Sequence, residues 1–222
     1  MLLGTLAAMV GCQRESAHVT EPPELLNRLL LNAAESAQLD GVRGLLQRGA
    51  SPNAIEIYTH DGDTALLVAC RRNDITLART LLEAGANPNL RQHGNWSDFP
   101  PLTICAAEGR EEIVELLLEY GARVNVRVGP VYPGHTPLFG ASDGGHAGIV
   151  KLLLANGATV DRYALFVALS HGYVGIVSDL LQAGGDPRWT LESGRTVLQE
   201  AVRSPDGTRQ EMIATVRRFL SQ

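Results

Sequence analysis

The residues of this 222-residue chain suited to nucleophilic or metal chemistry are three cysteines and six histidines. Their spacing argues against both uses. His60, His93 and His135 each stand alone, without a second His or Cys at the short separation that structural zinc sites use. Asp61-Gly62, Asp143-Gly144 and Asp206-Gly207 resemble calcium loops only in those two letters. No ligand pattern of the EF-hand kind surrounds them, and turn chemistry accounts for each. A Ser-centred elbow, a phosphate-cradling glycine loop followed by Lys and a His pair at helical spacing are all missing. The chain reads as a non-enzyme that calls for no cofactor and no metal.

Aromatic side chains carry a different kind of chemistry. They make up only 5% of the chain, yet Tyr58, Trp96, Phe99 and Tyr132 sit in three polar, Gly- and Pro-rich stretches, residues 54–63, 90–100 and 126–135. Such loops do not need large rings to fold. Rings placed there offer contact area at low entropic cost, as binding hot spots do. Phe99, beside Pro100-Pro101, also reads as a ring folded back onto its own loop. Arg71 and Arg72 suit an acidic or aromatic patch on a partner, and equally read as a solvated pair.

The elements that must position these residues announce themselves by repetition. Residues 101–125 read as two short helices with a turn at Gly109 and a glycine stop at Gly121. Ile113, Val114, Leu116, Leu117 and Leu118 make the second helix apolar on more than one side, so it needs neighbours. The closing glycine recurs at Gly49, Gly85, Gly121, Gly157 and Gly184, with separations of 36, 36, 36 and 27. The turn recurs at Ala37, Asn73, Gly109, Gly145 and Gly172 with the same separations. Two landmarks sharing one period predict a stacked solenoid.

The matching lines, such as ACRRNDITLARTLLEAGANPN from Ala69 and CAAEGREEIVELLLEYGARVN from Cys105, resemble ankyrin repeats. Thr136-Pro137-Leu138 with Gly145-His146 is the fullest match, and Asp63-Thr64-Ala65-Leu66 a near one. The resemblance implies an all-α solenoid of about five repeats plus a C-terminal cap, with extended β-hairpin fingers. The His that usually follows Thr-Pro-Leu is replaced by Leu67, Thr103, Phe139 and Gln199, which puts the family's Thr–His network in question. Repeats of this family usually run to 33 residues. A helix pair of constant length therefore places the extra residues of each unit in the fingers. In the fifth unit residues 162–167 leave no room for one, and the sixth, opening at Ser193-Gly194-Arg195-Thr196, reads as the cap.

The family implies a protein partner, gripped through the fingers and the exposed first-helix positions. Here those are Glu35 and Ser36, Arg71 and Arg72, Ala107 and Glu108, Asp143 and Gly144, and Ser170 and His171. A net charge of −5 argues against a surface that tracks nucleic-acid phosphates. Cys70 and Cys105 fall on small-residue positions of adjacent first helices, where free Cys acts as a small hydrophobe. A disulfide needs Cα atoms within ~7 Å, closer than stacked repeats usually stand.

Three regions result: a hydrophobic, signal-like segment at 1–12, a polar linker at 13–23 and the repeat domain at 24–222. Residues 1–12 are uncharged and too few to span a bilayer as a helix. Met9-Val10-Gly11-Cys12 resembles the cleavage box of bacterial lipoproteins, which implies a lipidated Cys12, a bacterial cell-envelope location and, from Gln13, the outer membrane. Membrane attachment is expected only if Cys12 is processed. The alternatives are a cytoplasmic regulatory scaffold, whose first residues form a packed helix, and an immunity or inhibitor-type protein.

Overall fold

A computed structural model describes residues 21–55, 63–91, 99–127 and 135–221. The described residues form twelve helices in six antiparallel pairs. The pairs are α1 (Pro23–Glu35) with α2 (Leu39–Gln47), α3 (Ala65–Arg72) with α4 (Ile75–Glu83), and α5 (Pro101–Ala107) with α6 (Glu111–Glu119). They continue as α7 (Pro137–Asp143) with α8 (Ala147–Ala155), α9 (Arg162–His171) with α10 (Val174–Gln182), and α11 (Val197–Arg203) with α12 (Arg209–Leu220). First helices pack on first helices, and second helices on second helices. The first helices pack more extensively, so the pile curves toward their side. This is the expected all-α solenoid.

Both periodic landmarks are backbone positions of one kind. The turns at Ala37, Asn73, Gly109, Gly145 and Gly172 have φ between 54° and 78°, and the closing glycines lie between 82° and 100°. The left-handed conformation reverses the chain between paired helices and terminates the second one. Between them lies a continuous core of Leu, Val, Ile and Ala. Ile113, Val114, Leu116 and Leu117 are buried, while Leu118 is half-buried.

The Thr-centred caps survive without the family's His. Thr64, Thr136 and Thr196 each accept a hydrogen bond from the backbone N–H three residues on, at Leu67, Phe139 and Gln199. A backbone donor makes the bond indifferent to the side chain at that position. Gln199 adds the reciprocal bond to the Thr196 amide, closing a capping box.

A second periodic device joins the repeats. Asn53, Asn89 and Asn125 donate through Nδ2 to the carbonyls of Gly85, Gly121 and Gly157, at 3.2, 3.1 and 2.9 Å. Their Oδ1 atoms accept from the amides of Asn87, Arg123 and Thr159, at 2.7, 2.8 and 2.8 Å. Asn27 of α1 supplies the equivalent acceptor for the Ser51 amide. At Asp161, the next position in this register, the ladder ends. The Asp161 carboxylate turns to the N-terminus of α9 and accepts from the Ala164 amide at 3.0 Å. With the helix starting at the next residue, the fifth unit has no finger, as its length anticipates.

Among the described residues no strand forms, and two isolated antiparallel bridges occur. One, Ile55–Thr64, closes the foot of the first finger. The tips at 56–62, 92–98 and 128–134 lie outside the described residues. The other, Thr190–Thr196, belongs to a short finger ahead of the cap that the sequence reading did not anticipate. Leu191 and Arg195 pair across it, and Gly194 makes its turn at φ 78°. Arg162 Nη1 donates to the Thr190 carbonyl at 3.2 Å, and Tyr163 to Glu192 at 3.3 Å, holding this finger against α9.

Candidate functional site: the concave face

The inner side of the curve is lined by the ends of the first helices. Each helix turns its small and branched residues into the core and leaves its last residues outside. Glu35 and Ser36, Arg71 and Arg72, Ala107 and Glu108, Asp143 and Gly144, and Ser170 and His171 are all exposed. The charge changes along the row, from arginines in the second unit to carboxylates in the third and fourth and an imidazole in the fifth.

The two arginines are held rather than loose. Arg71 pairs with Asp63 at the foot of the first finger, and Arg72 donates to the Glu35 carbonyl of the preceding repeat at 2.9 Å. Glu108 and Asp143 have longer pairings, 3.6 Å to Arg110 and 4.0 Å to His171. His171 is fixed by Nδ1 against the Val167 carbonyl at 2.9 Å and by stacking on Tyr173, 5.5 Å between centroids and 13° between planes.

Between α5 and α7 the face opens into a cleft of about 240 Å³. Its outer wall is a run of rings: Phe99 lies 5.8 Å from His135, which lies 5.0 Å from Phe139. Ile104 and Ala107 line it as well, and Glu108 and Asp143 border it at the C-terminal ends of α5 and α7. The helices can approach closely here because Gly140 faces Ala107; a Cβ at 140 would lie 3.0 Å from that of Ala107. Thr103, only 5% exposed, lines the cleft, and its hydroxyl has no hydrogen-bond partner among the described residues.

Of the residues singled out from sequence, Phe99 lines this cleft, and Arg71 and Arg72 stand on the same face one repeat away. Cys12, Tyr58, Trp96 and Tyr132 lie outside the described residues. The cleft itself was not anticipated, although a signal for it exists. Thr103 and Phe139 are two of the four positions that depart from the family's His, and both line it. Trp189, half-buried beside the sixth unit's finger, was also passed over.

Among the described residues no three His, Cys, Asp or Glu side chains converge on a potential metal position. Nor is any described helix long and apolar enough to cross a membrane. Cys70 and Cys105 are buried free thiols on the adjacent helices α3 and α5. Burial, then the Cys70 contact, pushes the Cys105 thiol well above its ordinary value. Burial likewise raises the Asp161 carboxyl, against the opposing pull of the Ala164 and Tyr163 amides and of Arg127.

The profile for ankyrin repeats (three copies) matches residues 30–128, and that for a single ankyrin repeat matches residues 133–163. An ankyrin repeat domain from Acinetobacter baumannii AYE is 30% identical, with a TM-score of 0.74; the match covers 86% of this chain and 96% of that one. The human ASB11 ankyrin repeat domain shares the fold at 24% identity and a TM-score of 0.70, covering 87% of this chain and 84% of that one. No curated protein matches the sequence. The paired helices, the left-handed landmarks, the Thr caps and these matches together make the chain a member of the ankyrin repeat family.

Proposed function

We propose that the chain is a non-enzymatic module that binds a protein partner on its concave face. The observation that carries this reading is the row of exposed first-helix ends around the ring-walled cleft, all on the inward side of the curve. Interfaces of this kind rest on a few anchoring rings and charges within a wider complementary surface. The fingers would supply further rings in Tyr58, Trp96 and Tyr132. Trp96→Ala or Tyr132→Ala is expected to weaken capture of the native partner at least fivefold while leaving the melting temperature unchanged. Unchanged capture with a large loss of stability would assign those rings to packing.

The second part of the reading is tethering through a lipidated Cys12 in a bacterial envelope. It is supported by Met9-Val10-Gly11-Cys12 after an uncharged apolar run, and by similarity to a bacterial domain. Intact-mass measurement of the membrane fraction should show loss of residues 1–11 and added acyl mass on Cys12. A full-length, unlipidated chain in the soluble fraction would reject the tether and favour an intracellular scaffold.

A further inference from the structure

We infer that the cleft between α5 and α7 receives one arginine side chain of the bound partner, with its guanidinium at the Glu108 and Asp143 end. This deepens the concave-face reading and rests on it. The cleft volume, about 240 Å³, is below the ~300–1,000 Å³ of sites that enclose a whole small molecule. It suits a single long side chain.

The chemistry of the walls selects which one. Ile104, Ala107 and the rings of Phe99 and Phe139 offer apolar surface for an aliphatic stem. At one end stand two carboxylates on successive repeats, each about half exposed and only loosely paired within the chain. A carboxylate can accept several hydrogen bonds, so the 3.6 Å and 4.0 Å pairings leave both able to take a further cation. A planar guanidinium meets this arrangement better than an ammonium. It forks between acceptors and lies flat on rings, whereas an ammonium acts as a compact, strongly hydrated point charge.

Thr103, in the first turn of α5, lies toward the other end. It precedes Glu108 by five residues, so the two are separated by ~7.5 Å along the axis at 1.5 Å per helical residue. That is about the reach of an extended arginine side chain. With the guanidinium at Glu108, the aliphatic stem runs back along the cleft past Thr103, which lines it. The overall charge of −5 adds to the preference for a cationic group.

The test uses the full chain and two small probes, acetyl-arginine-N-methylamide and its citrulline counterpart, which keeps the shape and removes the charge. Titration followed by amide and methyl resonances should give saturable shifts at Thr103, Ile104 and Ala107 with the arginine compound. The citrulline compound should bind at least fivefold more weakly. Glu108→Gln with Asp143→Asn should cost the arginine compound at least fivefold at unchanged melting temperature. Equal affinity for citrulline, or shifts scattered over the acidic face of α6, would overturn the assignment. A peptide display selection on the immobilised chain separates this from the broader reading. Selected peptides that lose capture when their arginine becomes citrulline support the guanidinium site. Peptides that need Arg72 and His171 but no arginine of their own overturn it and leave the concave-face reading standing. If no selected peptide depends on the concave face, both readings fail.

Discussion

Asn89 donates to the carbonyl of Gly121 at 3.1 Å and accepts from the amide two residues beyond it, clamping the end of one repeat to the start of its neighbour. The clamp satisfies one carbonyl and one amide that the helix ends would otherwise leave to water. Because the site is exposed, the two bonds are expected to contribute about 1–2 kcal/mol together. Asn89→Ala should lower the urea midpoint by a corresponding amount without changing the slope. Asn89→Asp, which keeps the acceptor and loses the donor, should recover only part of the loss.

Gly109 and Gly121 are both left-handed, at φ 73° and 82°, but differ in their surroundings. A Cβ at Gly121 meets nothing, whereas one at Gly109 would lie 2.5 Å from the His146 ring of the next repeat. Gly121→Ala should therefore cost about 1–2 kcal/mol, the conformational penalty alone. Gly109→Ala should cost measurably more. His146 also makes a bond to the Ala107 carbonyl at 3.1 Å, so His146→Ala is itself destabilising. The double variant should nevertheless lose less than the sum of the two single losses, and a denaturation cycle measures that coupling.

The raised Asp161 carboxyl sets a pH dependence of definite sign. With its folded value above the unfolded one, the folded state binds the extra proton in the interval between them, so stability falls as pH rises through that interval. It begins near the ordinary carboxylate value. Asp161→Asn keeps a capping oxygen and removes the titration. Relative to the parent, this variant should gain stability as the pH is raised from 3 to 7. Asp161→Ala should lose about 1 kcal/mol with the cap. Thermal melts of the three chains across pH 3 to 7 provide the check.

Cys70 and Cys105 face each other inside the stack, and burial keeps the Cys105 thiol protonated. Since the thiolate is the reactive form, native Cys105 should resist alkylation at neutral pH. Labelling at both positions is expected to follow opening of the third repeat, so its rate should rise with urea in parallel with local unfolding. Rapid labelling of Cys70 or Cys105 in the native chain would contradict the packing between α3 and α5.

The fold was legible because its recurring positions are ones where backbone conformation restricts the residue. A left-handed turn selects glycine or tolerates Asn73, and a helix end selects Thr64 or Thr136, so the period shows in the letters. The missing fifth finger was legible by length alone. The Asn53, Asn89 and Asn125 ladder keeps the same period, yet an exposed Asn near a turn has many local explanations, and its partners lie in another repeat. The cleft was harder still. Thr103 and Phe139 were visible as departures from the family pattern, but a departure shows what is absent and not what replaces it. Only the approach of α5 to α7 at Gly140 places a hydroxyl, three rings and two carboxylates around one volume.

The ladder spans the same offsets at each step, 32 residues to the carbonyl and 34 to the amide, from Asn53, Asn89 and Asn125 alike. Its junctions are thus interchangeable fittings. A stretch of DNA encoding one period could be duplicated or deleted ahead of Asp161, and the joint would close with the same bonds. Beyond Asp161 the coupling changes gauge, so growth or shortening of the array is easy on one side and obstructed on the other.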